Sequence, residues 1–262
     1  MPNRIDRCFA ALRSRGEKGF IAYIGAGDPS LARTVELALA LEKAGIDLLE
    51  LGVPFSDPLA DGIVNQLAAQ RALEAGATVR GVLDCVREIR RASQMPIVLY
   101  TYLNPIVQFG LAEFYRAAEG AGVDGLLILD LPPEEDLDES RAALAHIRLI
   151  APTTPRARLE KICARGEGFI YYVSREGVTG AQDSVAASLA SRVAEIRACT
   201  SLPVAVGFGI STAEQVAEVA RAADAVVVGS AIVNQIAENG GDANLAEKIR
   251  AFVEPLARAT KR

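Results

Sequence analysis

Short apolar runs alternate with longer stretches in which apolar residues recur every three to four positions, and the alternation continues along the chain without a linker. Eight runs predict buried strands: Phe20–Ile24, Leu48–Gly52, Ile97–Thr101, Gly125–Leu129, Arg148–Ile150, Phe169–Val173, Val204–Gly207 and Ala225–Val228. Between them, stretches such as LARTVELALALEKAG, VRGVLDCVREIRRA, LAEFYRAAEGAG and TAEQVAEVARAA carry the helical period. A further helix precedes the first strand and another covers about Ala243–Ala257. Eight strand–helix units predict an α/β fold closed into a (β/α)8 TIM barrel. It is expected as a single domain over residues 1–262, with an extra N-terminal helix and extra helices near strand 8 and the C-terminus.

Punctuation supports this reading. Asp28-Pro29 and Thr154-Pro155 each set a capping side chain before a proline suited to a first helical turn, and Ser211 with Glu214 predicts a capping box. A weak repeat agrees: AGIDLLELG at 44–52, AGVDGLLILD at 121–130 and AADAVVVGS at 222–230 each pass from a helix end through Asp into a strand. The rival, a doubly wound open sheet, fits fewer strands and usually carries GxGxxG after the first; here that strand ends in GAGDP.

The 262 residues are half hydrophobic, with 28 Lys+Arg against 33 Asp+Glu and a net charge of −5, a composition able to bury a core that needs no staples. Cys8, Cys85, Cys163 and Cys199 stand apart, so no CxxC site is formed and a reduced, cytoplasmic protein is expected. The N-terminus lacks the apolar core of a signal peptide, and no apolar run reaches membrane-spanning length. Mild acidity without a basic stripe argues against nucleic acid, leaving a small molecule or another protein as partner. His146 is the only histidine and is expected at the end of the helical stretch EEDLDESRAALAHI, which rules out a metal site built from several histidines. None of Lys18, Lys43, Lys161, Lys248 and Lys261 follows a strand, where a Schiff-base lysine would belong.

In such a barrel the chemistry lies at the C-terminal ends of the strands. Glu50 interrupts the apolar run LLELG, and alternation sends its side chain to the face opposite Leu49 and Leu51. A carboxylate placed there is either paired or used, because burying it alone costs several kcal/mol or raises its pKa. Asp61 follows in a loop rich in Pro, Asp and Gly; alone it reads as a turn residue, with Glu50 as one of two carboxylates in different environments. GVTG after strand 6, GFG after strand 7 and Gly229-Ser230 at the start of the next helix offer backbone N–H groups to a phosphate.

Five segments, LELGVPFSDPLADG at 49–62, YTYLNPI at 100–106, SREGVTGA at 174–181, VGFGIST at 206–212 and GSAIV at 229–233, resemble in order and spacing the motifs of the tryptophan synthase alpha family. The resemblance implies a lyase of tryptophan biosynthesis that cleaves indole-3-glycerol phosphate to indole and glyceraldehyde 3-phosphate. It implies catalytic roles for Glu50 and Asp61, a phosphate site at Gly180, Gly209, Gly229 and Ser230 beside Phe208, and a closing-loop residue, Thr179, that contacts Asp61. Tyr171 matches a tyrosine near the glycerol phosphate, and Tyr23, Tyr100 and Leu127 would form apolar walls for the indole. No cofactor or metal is implied in this chain. A beta subunit carrying pyridoxal phosphate would receive the indole in an alpha2beta2 heterotetramer, facing Asp57, the Asn104-Pro105 loop and Asp130.

The sequence departs from the family pattern where Ile63 and Val64 precede Asn65 in place of a proline after ADG, where Gly25 replaces the usual threonine, and at Tyr100 and Leu103. These bear on loop closure and pocket shape. A stand-alone lyase releasing free indole and a weakly active activating subunit are the alternative readings.

Overall fold

The computed structural model describes residues 3–135, 143–174, 182–207 and 209–261, without the side chains of 182–187. Eight parallel strands, β1 (Gly19–Gly25), β2 (Leu48–Gly52), β3 (Ile97–Thr101), β4 (Gly125–Ile128), β5 (Ala145–Ile150), β6 (Ile170–Val173), β7 (Val204–Gly207) and β8 (Ala225–Val228), pair in chain order, and β8 closes on β1. Helix α1 (Arg4–Arg15) precedes β1, and α2 (Leu31–Lys43), α3 (Ile63–Glu74), α4 (Val79–Arg90), α5 (Leu103–Phe109) and α6 (Leu111–Ala121) wrap the first half. The second half carries α7 (Arg156–Ala164), α8 (Gln182–Arg197), α9 (Ala213–Ala222), α10 (Ser230–Asn239) and α11 (Leu245–Arg258). This is the TIM barrel, with the expected extra helices in place. No helix among the described residues is long and apolar enough to cross a membrane.

Strand alternation divides the apolar residues into two layers. Phe20, Ala22, Ile24, Leu49, Leu51 and Leu99 face outward and pack under the helices. Ile21, Leu48, Val98, Leu127, Ile147 and Phe169 point inward and fill the barrel, as parallel strands buried on both faces require. The N-terminal end is stoppered by α1, whose Ile5, Phe9 and Leu12 join the interior cluster; the Phe9 and Phe169 rings lie 5.7 Å apart. Each such side chain contributes roughly 1.5–3 kcal/mol by leaving water. Arg4 ties this plug to the buried Asp124 at 3.0 Å.

The repeat seen in the sequence has a structural job. Asp47 donates its N–H to the Phe20 carbonyl and accepts the Phe20 N–H on its carboxylate at 2.7 Å. Asp124 makes the same reciprocal pair with Ile97, and Asp224 with Val204. A fourth copy, hidden from the sequence because it uses a longer acid, joins Glu167 to His146. In every case an acid just ahead of an even strand caps the start of the preceding odd strand, at the end of the barrel opposite the site.

Four local expectations are corrected. His146 lies in β5, not a helix: Ala145, His146 and Ile147 pair with β4, so the strand begins three residues earlier than its apolar run, and the ring stacks on Tyr115 with a 3.0 Å Nε2···hydroxyl contact. Asp28 does not cap α2; Ser30 does, while Asp28 precedes a cis proline and takes a bidentate bond from Arg71 at 2.9 and 2.7 Å. The α9 capping box uses Thr212 with Gln215, one residue beyond Ser211 and Glu214, and Thr154 caps no helix but binds the Ala151 N–H.

Candidate active site

Glu50 sits in register between Tyr23 of β1 and Val98 of β3, so alternation points its carboxyl into the barrel above the apolar plug. It is 1% exposed, and neither carboxyl oxygen has a hydrogen-bond partner among the described residues. Burial alone pushes its pKa up to about 8. An acid so placed holds its proton at neutral pH and can release it in the pH range where enzymes work.

Asp61 reaches the same mouth from the segment between β2 and α3 and has opposite surroundings. Its Oδ1 accepts from the Tyr100 hydroxyl at 2.9 Å and its Oδ2 from the Tyr102 hydroxyl at 2.8 Å. Burial raises its pKa, while the bonds from Tyr102, Tyr100 and Asn65 pull it back. Tyr102 also accepts the Ala60 N–H at 3.0 Å, and its ring lies 5.3 Å from Phe55, so the residue just after β3 holds the segment by side chain and backbone together. Asp61 lies in a cleft lined also by Tyr23, Gly52, Pro58 and Asn65, and the two carboxyls, one bare and one fed by hydroxyl donors, both act on the Tyr23 hydroxyl.

Tyr23, Tyr100 and Tyr171 lie near one another at this end of the barrel. Tyr23 meets Tyr100 edge-on at 4.9 Å, and Leu127 lies beside Tyr100 in the β3–β4 register. Tyr100 was expected as an apolar wall; its ring packs against Tyr23, and its hydroxyl is committed to Asp61. Tyr102 stands out in the sequence only as a polar residue at a strand end, and its grip on Asp61 depends on inter-strand register. Burial, followed by the carboxyls of Asp61 and Glu50, drives the Tyr23 hydroxyl well above its ordinary range; at Tyr171 burial is followed by Glu50. Each of these rings needs a glycine opposite: a Cβ at Gly52 would stand 2.5 Å from the Tyr23 hydroxyl, and one at Gly207 2.5 Å from that of Tyr171.

Of the expected phosphate residues, Gly209, with φ +63° and open space where a Cβ would be, follows β7, and Gly229 with Ser230 opens α10, where unpaired N–H groups face out of the helix end. Gly180, Thr179 and Phe208 lie outside the described residues. The departures are accommodated locally. At Gly25 a Cβ would find only ordinary contacts. Ile63 takes the first position of α3, where a proline would fit, and the Gln66 side chain reaches back to the Asp61 carbonyl at 2.8 Å. Asn104-Pro105 lies in the first turn of α5, whose Leu103 N–H is capped by Asp130 at 2.7 Å, and Asp57 accepts from Ser56. Around this rim Leu59 (91% exposed), Ile63 and Val107 present apolar surface to solvent.

A family profile described as Tryptophan synthase alpha chain matches residues 9–261. The chain belongs to the tryptophan synthase alpha chain family. Within the family, it is 52% identical to the alpha chain of Opitutus terrae over 99% of this chain and 100% of that one, and 50% identical to that of Citrifermentans bemidjiense over 97% and 96%. Its fold superposes on the crystal structure of a family member, tryptophan synthase subunit alpha from Legionella pneumophila, with a TM-score of 0.90 at 38% identity, covering 99% of both chains.

Proposed function

We propose that Glu50 and Asp61 carry the reaction of the family, a lyase reaction that cleaves indole-3-glycerol phosphate to indole and glyceraldehyde 3-phosphate. The observation that carries this reading is the bare, buried Glu50 carboxyl with its pKa near 8, which shares the neighbours Tyr23 and Tyr171 with a second carboxyl held by two hydroxyls. Direct rupture of the bond to indole C3 would expel a poor carbanion, so the ring is first protonated. Glu50 gives its proton to C3, forming the indolenine, whose ring nitrogen gains positive charge. Asp61 accepts the hydrogen bond of that N–H and stabilises the charge as it grows. The glycerol hydroxyl next to the breaking bond then returns its proton to Glu50, its oxygen becomes the aldehyde, and the bonding pair goes back into the ring to restore neutral indole.

Tyr23, Tyr100 and Leu127 supply the walls against which the indole lies, and Tyr171 stands toward the glycerol phosphate. Gly209, Gly229 and Ser230 bind the phosphate at the N-terminus of α10, completed by Gly180 with Phe208 beside it, while Thr179 is the closing-loop residue that contacts Asp61. The exposed apolar rim at Leu59, Ile63 and Val107 is the face for a beta subunit that holds pyridoxal phosphate and takes up the indole, in an alpha2beta2 assembly. The chain acts as one catalytic domain, and its free thiols suit a cytoplasmic setting. Purified chain incubated with indole-3-glycerol phosphate tests this by indole release, with and without a beta subunit and serine. Turnover that is low alone and rises with the partner is expected. High turnover unaffected by the partner removes the subunit reading, and no indole in either arm removes the lyase.

A further inference from the structure

The segment from Val53 to Gly62 carries a catalytic carboxyl, yet its tip is tied mainly to itself: Leu59 N–H bonds the Asp57 carbonyl and Asp61 N–H the Pro58 carbonyl. What fixes the tip to the barrel comes from the C-terminal end of β3 and the residue after it. Tyr102 grips both the Ala60 backbone and the Asp61 side chain. Tyr100 touches the segment differently, because its hydroxyl meets only the Asp61 carboxyl. Its ring is itself held, edge-on against Tyr23 and in register between Gly52 and Leu127, so the hydroxyl position is set by the sheet.

We propose that Tyr100 is a positioning residue for Asp61: its hydroxyl fixes the direction of the carboxylate and keeps it in the form that accepts a donor from substrate. This rests on the role given to Asp61 above. A carboxylate accepts about four hydrogen bonds. The two tyrosines take one on each oxygen and Asn65 a third, which leaves one lone pair for the substrate N–H and removes the freedom of the side chain to turn away. The groups that interact with Asp61 are Tyr23 from β1, Tyr100 from β3, Tyr102 just after β3, Tyr171 from β6 and Asn65 from α3, and Glu50 from β2 and Asp28 act on Tyr23 beside it. Three of these, Tyr102, Tyr100 and Asn65, favour the ionised form by hydrogen bonding; burial opposes it. Removing one donor therefore moves Asp61 toward its protonated, non-accepting state at a given pH.

The test is Tyr100→Phe, which deletes one oxygen and keeps the ring against Tyr23. Two readouts are taken beside the wild type and Asp61→Asn: the pH profile of indole release, split into kcat and KM, and the carboxyl carbon NMR titration of Asp61, assigned by its disappearance in Asp61→Asn. Expected are an acid limb of kcat displaced upward by about half to one pH unit, kcat near neutral lowered about 10-fold with KM changed much less, a matching upward shift of the Asp61 titration, and an unaltered melting temperature. A loss of activity with an unmoved Asp61 titration makes Tyr100 merely structural and overturns the proposal. So does a wild-type profile in Tyr100→Phe. Absence of indole from the wild type, or full activity of Asp61→Asn, defeats the functional reading instead. The carboxyl titration reads the Tyr100–Asp61 bond without any turnover, so the two failures are told apart.

Discussion

Glu50→Gln removes the proton donor while preserving shape, and its consequences divide cleanly between rate and stability. As general acid, Glu50 is worth about 100- to 10,000-fold in rate, on the order of 3–5 kcal/mol of barrier. The Gln variant should therefore release indole at least ~100-fold more slowly at unchanged KM. The wild-type rate should fall as pH rises past about 8, where the carboxyl loses its proton, and the variant should lack that limb. Stability moves the other way. The folded-state pKa near 8 lies above the ordinary 4.5, so between these values the folded chain binds a proton that the unfolded chain has released. This stabilisation is complete below pH 4.5 and is lost as pH climbs through 8. At about 1.4 kcal/mol per pH unit it amounts to something on the order of 5 kcal/mol. Urea unfolding of both proteins at pH 5, 6.5 and 8 isolates the term as a difference: the variant should gain on the wild type steadily with pH. Parallel stability curves, or a variant with wild-type turnover, would refute the assignment of a bare buried acid.

Arg71→Ala strips the bidentate partner from the buried Asp28 and should cost about 2–3 kcal/mol in denaturant unfolding, a figure tempered by the exposure of Arg71; a loss under half a kcal/mol would mean the pair is idle. Gly207→Ala places a Cβ 2.5 Å from the Tyr171 hydroxyl and 2.9 Å from Val227, so kcat/KM should drop roughly 10-fold or more from the displaced ring, which steady-state kinetics would show. Phe9→Ala opens the plug at the far end of the barrel and should lower stability by about 3–5 kcal/mol while the turnover of the folded fraction stays close to wild type; calorimetry and kinetics together check it.

The strands were legible because a parallel strand covered on both faces shows an unbroken apolar run, and Glu50 was legible because a charge inside such a run has few tolerable places. Where the reading slipped, a neighbouring residue competed for the same job. Ser30 won the cap from Asp28 because Asp28 was wanted by Arg71, and Thr212 won it from Ser211 by a shift of one position. His146 looked helical because its run of acids and alanines gave no hint that Ala145 and His146 would pair with β4. The hydroxyl bonds of Tyr100 and Tyr102 were invisible for a deeper reason: they join positions about forty residues apart and depend on how β2 and β3 align. The repeat was read three times and missed at Glu167, since a search for Asp does not find an acid one methylene longer doing the same work.

The four reciprocal acid links also divide the barrel into modules. Each joins an odd strand to the even strand after it, so β1–β2, β3–β4, β5–β6 and β7–β8 are each fastened internally at the closed end. At the open end the fastening falls on the other boundary, because Asp61 leaves β2 and is held by β3. A chain severed between Ser93 and Met95 would therefore yield two fragments with every acid link intact, one bearing both carboxyls and the other both tyrosines. Indole release from the mixed fragments would then report the joining of the first module to the second.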